Sequence, residues 1–465
     1  MMRRDLIARA AVSAVAATVS LTAMSVAYAG CVGEPTLKFN NGKLRIMQFA
    51  DIQDDHIIDP RSTELMEKAL DAYKPDVVVF SGDNITGGAI INNNQVKQAI
   101  DNIVLPVEKR GIPWIGTFGN HDEDSHVRAP LLVTWTETDQ YNYYRSFSCN
   151  VNPPTAPGVT GQSNAVALVY GSHVELKHPK YALWVLDTGR NAKNPDEIAG
   201  QRINARDNTW DHLQPDQINW YRTTSQRFER VFGEKIPGLM WFHHPTHEFD
   251  FMWNNDFGTA KDPNVYQYGT AETVIDPYSQ NDPSPNQNDR HKIVGERNEC
   301  VCTGPYNAGI YAAVRERGDV KGMFVGHDHI NDYHGNYHGV FLGYAASAGF
   351  GTYGFDPGTP GPNQGKQHRL RGVRVFDIDE DTREVFDTYM VKAGDDLGMC
   401  IDSNGTGCNA PSIAARSTRL ASGNGSGTEL DGVDLNADIS DPAVAAKYEI
   451  KGKRIVAEWP TAPTE

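Results

Sequence analysis

The chain has 465 residues and a formal net charge of −16, with 39% hydrophobic and 22% charged residues. This is the composition of a soluble globular protein with a large core, and length alone allows two or three domains. The acidic balance argues against nucleic acid or an anionic membrane as the main partner, because both bind basic surfaces. A small phosphate substrate remains compatible with this charge, because bound metal cations would reverse the local field.

The first 29 residues are predicted to be a signal peptide. Three arginines precede a largely apolar stretch at residues 10–27, and residues 27–29 match a small-residue cleavage site. The pair Arg3-Arg4 resembles a twin-arginine signal, which favours export of a protein that is already folded. A signal anchor is the alternative. We therefore expect a secreted or periplasmic protein.

Strand and helix patterns alternate after this segment. Apolar runs of strand type cover Leu44–Ala50, Asp76–Phe80 and Ile112–Phe118, and helical spacing of apolar residues covers Arg61–Tyr73 and Asn94–Arg110 between them. This β-α-β-α-β order predicts parallel strands joined by right-handed crossovers.

The same pattern continues in the second half of the chain. A helix is predicted to begin near Pro215, because proline favours the first helical turn. Residues 249–298 are rich in Asn, Asp, Pro, Gly and Tyr, which predicts a long functional loop or lid that could cover a site and set substrate choice. Further strands are predicted at Tyr181–Leu186, Gly238–Phe242, Gly322–Val325, Val340–Tyr344 and Gly372–Ile378.

These elements place one domain at residues 38–395. The rest of the chain, 396–465, is predicted to be a linker and tail, because residues 412–437 are rich in Ser, Gly and Asp. Residues 448–458 could form one last strand.

Six cysteines in an exported chain predict disulfides. Cys400 and Cys408 close a short loop and are the first expected pair, worth about 2 to 3 kcal/mol. Cys300 and Cys302 are too close in sequence to be expected to bridge each other. At least one of them is expected to reach a distant partner, and Cys149 is the better candidate. A zinc site is the competing interpretation, but it lacks a second closely spaced pair.

Five short polar clusters follow apolar runs of strand type. Carboxyl ends of buried parallel strands meet at one edge of a sheet, which is where open α/β sheets bind their ligands. The clusters combine carboxylate, amide and imidazole groups and so predict a ligand set for two metal ions. In chain order they are Asp51-Ile52-Gln53, Gly82-Asp83-Asn84, Gly119-Asn120-His121-Asp122, His243-His244 and Gly326-His327-Asp328-His329.

Asp83 is the predicted bridge between the two ions, because two carboxylate oxygens can bind cations about 3.5 to 4 Å apart. Taken alone, its cluster is also typical of a turn, but the other four clusters favour the metal role. Mixed nitrogen and oxygen donors fit Zn, Mn or Fe, as divalent or trivalent ions. One ion is assigned Asp51, Gln53 and His329, and the other is assigned Asn120, His243 and His327.

His121 follows the predicted ligand Asn120, so we expect it to lie over the metal pair without binding it. An imidazole there can hold a phosphoryl oxygen or protonate the leaving alcohol, which contributes typically about 10²- to 10⁴-fold. Asp122 is the candidate for orienting His121. A hydrogen-bonded loop histidine is the alternative. Six further residues are candidates either for contacting substrate or for being ordinary polar loop residues: His56, His126, His244, His247, Asp124 and Arg128.

These ordered motifs resemble the calcineurin-like metallophosphoesterase superfamily, with its pattern D-x-H, G-D-x-x, G-N-H-[DE], a later H and G-H-x-H. The resemblance covers residues 44–378, and the segments around 112–114, 242–245 and 325–332 are similar to the purple-acid-phosphatase-like branch. It implies a four-layer α/β/β/α sandwich with two mixed sheets and a dinuclear metal centre. It also implies attack on phosphorus by a metal-bound hydroxide.

The sequence departs from this family pattern at two positions. Gln53 replaces the usual histidine, which predicts a weaker donor and lower occupancy at one ion; a register slipped to residues 54–56 would restore a histidine farther from the strand end. Thr86 stands where purple enzymes have a tyrosinate ligand, so we expect no purple iron chromophore.

The sequence therefore predicts an exported dinuclear phosphoesterase acting on phosphomonoesters. Its expected partner is a small phosphate ester, with no nucleic-acid scaffold and no integral membrane. One alternative is a phosphodiesterase acting on nucleotides or lipid headgroups. The other is a non-catalytic binding protein on a degenerate scaffold, for which Gln53 is the sequence argument.

Overall fold

The computed structural model describes residues 31, 36–87, 89–173, 178–191, 210–254, 291–304, 306–352 and 371–399. The predicted signal peptide, the Cys400–Cys408 bridge and the C-terminal tail lie outside these residues. The strands are β1 Lys43–Phe49, β2 Val77–Ser81, β3 Trp114–Thr117, β4 Ala165–Tyr170, β5 Pro179–Val185, β6 Gly238–Trp241, β7 Val320–Val325, β8 His334–Tyr337, β9 Val340–Tyr344, β10 Gly372–Asp379 and β11 Val385–Lys392. The helices are α1 Pro60–Tyr73, α2 Asn93–Glu108, α3 Asp124–Arg128, α4 Glu137–Tyr144, α5 Pro215–Phe232, α6 His247–Trp253 and α7 Ile310–Arg317.

The strands form two mixed sheets, which confirms the predicted fold class. The first sheet has the order β11-β10-β1-β2-β3, and the second has the order β4-β5-β6-β7-β9-β8. Strands β1, β2 and β3 are parallel, as the β-α-β-α-β pattern predicted. In the second sheet, β5, β6, β7 and β9 are parallel, and β4 and β8 pair antiparallel at the two edges.

Three apolar cores separate the layers. Ile46 of β1 and Leu183 of β5 belong to a core made by both sheets, which therefore pack face to face. On the outer face of the first sheet, Leu65 of α1 packs in a second core. On the outer face of the second sheet, Tyr221 of α5 and Ala313 of α7 pack in a third. The result is the predicted α/β/β/α order, and each large apolar side chain buried this way contributes about 1.5 to 3 kcal/mol.

Helix boundaries follow local chemistry. Asp59 caps α1 by accepting a hydrogen bond from the backbone N–H of Arg61, and Pro60 occupies the first turn. Helix α5 begins at Pro215, as predicted, and ends at Gly233, whose φ of 77° is accessible to glycine without a steric cost. No described helix has the length and apolar character needed to cross a bilayer.

One short helix lies where the sequence predicted a loop. Helix α6 occupies the beginning of the predicted loop at residues 249–298, and residues 255–290 lie outside the described part of the chain. The helix begins after Thr246, an extended N-cap residue, and it has Glu248 and Asp250 in its first turn. Acidic side chains in the first turn interact favourably with the positive end of the helix dipole and so stabilise the helix. This effect depends on the positions of the residues, so the composition of residues 249–298 did not reveal it.

The expected cysteine pairing is wrong for the described residues. Cys31 pairs with Cys149, and Cys300 pairs with Cys302 across a single residue. Cys31 and Cys149 are both buried in the core beside the first sheet. Cys302 instead lies near Asp328 in the loop after β7, so its backbone N–H reaches that carboxylate at 3.2 Å. The fold thus keeps Cys149 away from Cys300 and Cys302.

Candidate metal centre

The polar clusters lie in loops at the carboxyl ends of five strands. Asp51, Asp83 and Asn120 follow β1, β2 and β3 of the first sheet, whereas His243 and His327 follow β6 and β7 of the second. Backbone hydrogen bonds hold neighbouring loops together, including Asp51 N–H to Gly82 O at 3.2 Å. The site therefore lies where the equivalent ends of the two sheets meet.

Four of the predicted ligand residues have left-handed backbone conformations. The φ angles are 50° at Asp51, 46° at Gln53, 47° at Asp83 and 73° at His327. Residues other than glycine rarely adopt such angles, which cost on the order of 1 kcal/mol and cluster at functional sites. These turns redirect the chain at each strand end, so consecutive polar side chains can meet at one point.

Glycines in the clusters permit close approach of the loops. A Cβ atom on Gly119 would overlap the carboxylate of Asp83, and one on Gly326 would overlap the carboxylate of Asp51. Any side chain at either position would displace a predicted ligand.

One group of potential metal-binding atoms comes from both sheets. Ligand atoms of Asp51, Asp83 and His243 all lie within 4.8 Å of one another. The Nε2 atom of His243 lies 3.1 Å from Asp83 Oδ2 and 3.8 Å from Asp51 Oδ1. His329 Nε2 lies 3.5 Å from Asp51 Oδ1, and both residues are predicted ligands of the same ion. Asp51 and His243 are fully buried, so water does not screen these groups.

A second group consists of three imidazoles. Ligand nitrogens of His243, His244 and His327 lie within 4.8 Å of one another. The buried Nε2 atom of His327 has no hydrogen-bond partner among the described residues. Asn120 joins this group through its Oδ1 atom, which is 3.0 Å from His244 Nε2. An unpaired buried imidazole nitrogen is costly in a protein interior but suits a metal ion.

Burial and mutual charge set the protonation states. Burial raises the pKa of Asp51 well above its usual value, and the nearby Asp83 carboxylate raises it further. Burial opposes ionisation of Asp83, but His243 and His121 outweigh it and lower the pKa of that carboxyl. Burial, with His243 next, lowers the pKa of His244 to about 3, and burial lowers the pKa of His327 well below its usual value. Neutral imidazoles beside buried carboxylates are the donor set that a cation stabilises.

Gln53 also lies near His329, but its side-chain oxygen already accepts a hydrogen bond from the protein. The hydroxyl of Thr352 donates to Gln53 Oε1 and also lies 3.3 Å from His329 Nδ1. In the slipped register, Asp54 accepts from the hydroxyl of Ser62 and turns away toward α1. The geometry therefore favours Gln53 over residues 54–56 as the neighbour of His329.

His121 is oriented by a carboxylate three residues farther along the chain. Its Nδ1 atom lies 2.7 Å from Asp124 Oδ2, and its backbone N–H donates to Asp83 Oδ1 at 2.7 Å. Arg190 also binds the Asp124 carboxylate, which is buried. Burial opposes protonation of His121, but Asp83 and Asp124 outweigh it and raise its pKa.

Asp122, the predicted orienting residue, points elsewhere. Its oxygens accept hydrogen bonds from the backbone N–H groups of Asn84, Ile85 and Gly119 at 3.0, 3.1 and 2.7 Å. It ties the loop after β2 to the loop after β3, because adjacent residues in a tight turn face different ways. The sequence signal for Asp124 was only its spacing of three from His121.

The remaining candidates divide between the metal group and positions outside it. His244 belongs to the imidazole group, although it was predicted only as a possible substrate contact or polar loop residue. Its position directly after His243 at a strand end was the sequence feature that could have indicated this role. His126 is bound through Nδ1 to Val133 O at 2.9 Å. His56 lies 3.7 Å from Asp55, in the loop before α1.

The sequence matches a family model and several curated proteins. The family model described as calcineurin-like phosphoesterase matches residues 44–331. Among curated relatives, the chain is 26% identical over 351 residues to "Probable inactive purple acid phosphatase 14" of Arabidopsis thaliana, covering 69% of this chain and 75% of that protein. It is 27% identical over 348 residues to "Probable inactive purple acid phosphatase 29" of the same plant, covering 68% and 75%.

The comparisons also found a yeast phosphatase and a solved structure of a fish protein. "Phosphatase DCR2" of Saccharomyces cerevisiae is 23% identical over 310 residues, covering 63% of this chain and 45% of that protein. The structure of a dimetal phosphatase from Danio rerio covers 75% of this chain and 98% of its own, with 12% identity and a TM-score of 0.37.

Proposed function

Because the chain belongs to the calcineurin-like phosphoesterase family, we propose that it is an exported, dinuclear metal-dependent enzyme that hydrolyses phosphomonoesters. Two observations carry this proposal: the buried cluster of Asp51, Asp83 and His243, and the buried Nε2 atom of His327, which has no hydrogen-bond partner among the described residues. Such a set of donors is destabilising by itself and becomes favourable around cations. The partner is a small phosphate ester, and no nucleic-acid scaffold is involved.

The proposed ligands are those predicted from the sequence. Asp51, Gln53 and His329 would hold one ion, and Asn120, His243 and His327 the other, with Asp83 shared. His244 lies close enough to the second group to be a further donor. Zn, Mn and Fe all suit these nitrogen and oxygen donors. Such ions, when bound, polarise the phosphoryl group and make water a better nucleophile at neutral pH.

His121 supplies the proton for the leaving alcohol. Asp124 engages its Nδ1 atom, which leaves Nε2 for the substrate. A raised pKa keeps this imidazole protonated nearer to neutral pH, as a general acid requires. The hydrogen bond from the backbone N–H of His121 to Asp83 Oδ1 fixes the position of the general acid relative to the proposed bridging carboxylate.

Metal content and a panel of phosphate esters test the proposal. We expect about two ions per chain and hydrolysis of nitrophenyl phosphate in preference to bis(nitrophenyl) phosphate. Asp83→Asn should lose metal and activity together, whereas Asp71→Asn, a change at a carboxylate 67% exposed on the surface, should keep both. Less than one ion per chain would overturn the dinuclear centre, and faster cleavage of the diester would assign a phosphodiesterase.

A non-catalytic binding protein is the second candidate. The specific observation in its favour is a hydrogen bond from the Thr352 hydroxyl to Gln53 Oε1. This oxygen is the atom that Gln53 would offer to one ion. Two curated relatives also carry the words "probable inactive" in their names. Binding of phosphate esters without turnover, by a protein that holds two metal ions, would favour this candidate.

Export rests on the arginine pair and cleavage site at the N-terminus and is supported by the disulfides at Cys31–Cys149 and Cys300–Cys302. Replacing Arg3 and Arg4 with lysine should retain the uncleaved, folded protein in the cytoplasm. Normal export of that variant would reject the twin-arginine route.

A further inference from the structure

A cleft lies directly beside the candidate metal centre. It is bounded by the loop after β6 and by the segment that leads into α7. His244 forms the shared wall, because it lines the cleft while its Nε2 atom is bound to Asn120 in the metal group. One imidazole ring therefore stands between the cleft and the metal group.

Two hydroxyl groups in the cleft have no hydrogen-bond partner in the described part of the chain. Thr246 Oγ1 and Tyr306 Oη are buried, and neither forms a hydrogen bond with any residue in the described ranges. Both residues line the cleft. Buried hydroxyls without partners are unfavourable, so a ligand that donates and accepts hydrogen bonds would stabilise this arrangement.

The lining is neutral and partly apolar. Its side chains include no Asp, Glu, Lys or Arg among the described residues, and Leu213, Ile218 and Ile310 add apolar surface. Tyr306 and His212 stand with ring centroids 5.4 Å apart, at an angle of 53°. A cleft that combines ring faces, apolar surface and free hydroxyls suits an uncharged ligand with both C–H and O–H groups.

We propose that this cleft binds the alcohol part of the substrate and selects a neutral, polyhydroxylated alcohol such as a sugar. This specificity rests on the proposed phosphoesterase function, and it assigns to Thr246 and Tyr306 the recognition of substrate hydroxyls. A site that hydrogen-bonds a hydroxyl rejects the analogue that lacks it more strongly than an apolar site can.

The kinetic test compares glucose 6-phosphate with butyl phosphate, an alkyl ester without free hydroxyls. We expect kcat/KM to be at least about tenfold higher for the sugar ester. Tyr306→Phe and Thr246→Val remove hydroxyls with little change of shape, and each should lower kcat/KM for glucose 6-phosphate about tenfold while leaving butyl phosphate unchanged. Equal kcat/KM for the two esters in the wild-type enzyme, or equal losses on both in the variants, would overturn the proposal.

A matched control is Tyr170→Phe at the end of β4. That strand is antiparallel to β5, so its end lies at the sheet edge opposite the metal centre. This variant should keep the preference for the sugar ester, and loss of the preference would overturn the assignment to Tyr306.

Calorimetric binding of glucose 6-phosphate separates this proposal from the proposed activity. Binding without hydrolysis of any ester, weakened by Tyr306→Phe, would support the cleft and reject the enzyme. Hydrolysis of nitrophenyl phosphate without preference for the sugar ester would support the enzyme and reject the cleft. Neither binding nor hydrolysis would reject both.

Discussion

The Nδ1 atom of His121 lies 2.7 Å from the Asp124 carboxylate, and that carboxylate also binds Arg190. Burial opposes ionisation of Asp124, but His121 and Arg190 outweigh it and lower its pKa. The carboxylate is therefore charged at neutral pH and orients the imidazole next to the proposed metal bridge, Asp83.

Replacing His121 with alanine should remove general acid catalysis and leave the metal ligands in place. We expect turnover of alkyl phosphates, whose alcohols leave poorly, to fall about 10²- to 10⁴-fold. Steady-state kinetics with metal analysis measures both quantities. His126→Ala is the control, since His126 is bound to Val133 O outside the metal group and should retain activity. Unchanged turnover in His121→Ala would reject the acid role.

Asp124→Asn should act through His121, not through metal binding. The amide keeps the size of the side chain but cannot balance a protonated imidazole, so hydrolysis of butyl phosphate should fall about tenfold or more. Nitrophenyl phosphate, whose alcohol leaves without much help, should be affected much less. A rate loss of the same size on both esters would indicate a general structural role, and Asp71→Asn should change neither rate.

Gln53→His should increase metal affinity at the first ion. Histidine restores a nitrogen donor, whereas Gln53 Oε1 is shared with the Thr352 hydroxyl. Metal titration should show tighter binding of one ion, with the other unchanged. Gln226→His, an exposed change on α5, is the control. Unchanged affinity for both ions would show that residue 53 is not a ligand.

Asp101 should make stability depend on pH independently of metal. Burial raises its pKa to about 7, above the ordinary value of 3.8. Between these values the unfolded carboxyl is ionised while the folded one is protonated, so its contribution to stability is full below about pH 4 and is lost as pH rises toward 7.

The check is denaturant unfolding of wild type and Asp101→Asn between pH 4 and pH 8. One such group lowers the free energy of unfolding by about 1.4 kcal/mol per pH unit within this window. The hydrogen bond from Tyr143 and the charge of Lys97 favour the ionised carboxylate and so keep the window from extending higher. The variant should lose this slope and become the more stable protein at pH 8. Parallel curves for the two proteins would contradict the raised pKa.

The sequence predicted the parallel strands and the polar groups at their ends because both depend on local patterns. Apolar runs such as Val77–Ser81 identify buried strands, and an Asp or His directly after one must lie near the sheet edge. The edge strand β8, His334–Tyr337, carries no such apolar run and was not predicted.

The orientation of individual side chains was not accessible from the sequence. The direction of Asp122 depends on three backbone N–H groups in two loops, and that of His121 depends on Asp124. The pairing of Cys300 with Cys302 likewise depends on the path of a loop held against Asp328. Tertiary contacts decide these positions, and no local periodicity reports them.

The carboxylate of Asp51 accepts the backbone N–H of His327, a residue 276 positions later in the chain. During synthesis, the N-terminal half can build its three parallel strands before His327 has left the ribosome, but it cannot close this bond. Completion of the candidate metal centre is therefore a late event that reports on folding of the whole domain. A chain truncated before β7 would expose buried carboxylates with no imidazole partners, and the cell would handle it as an unfolded protein.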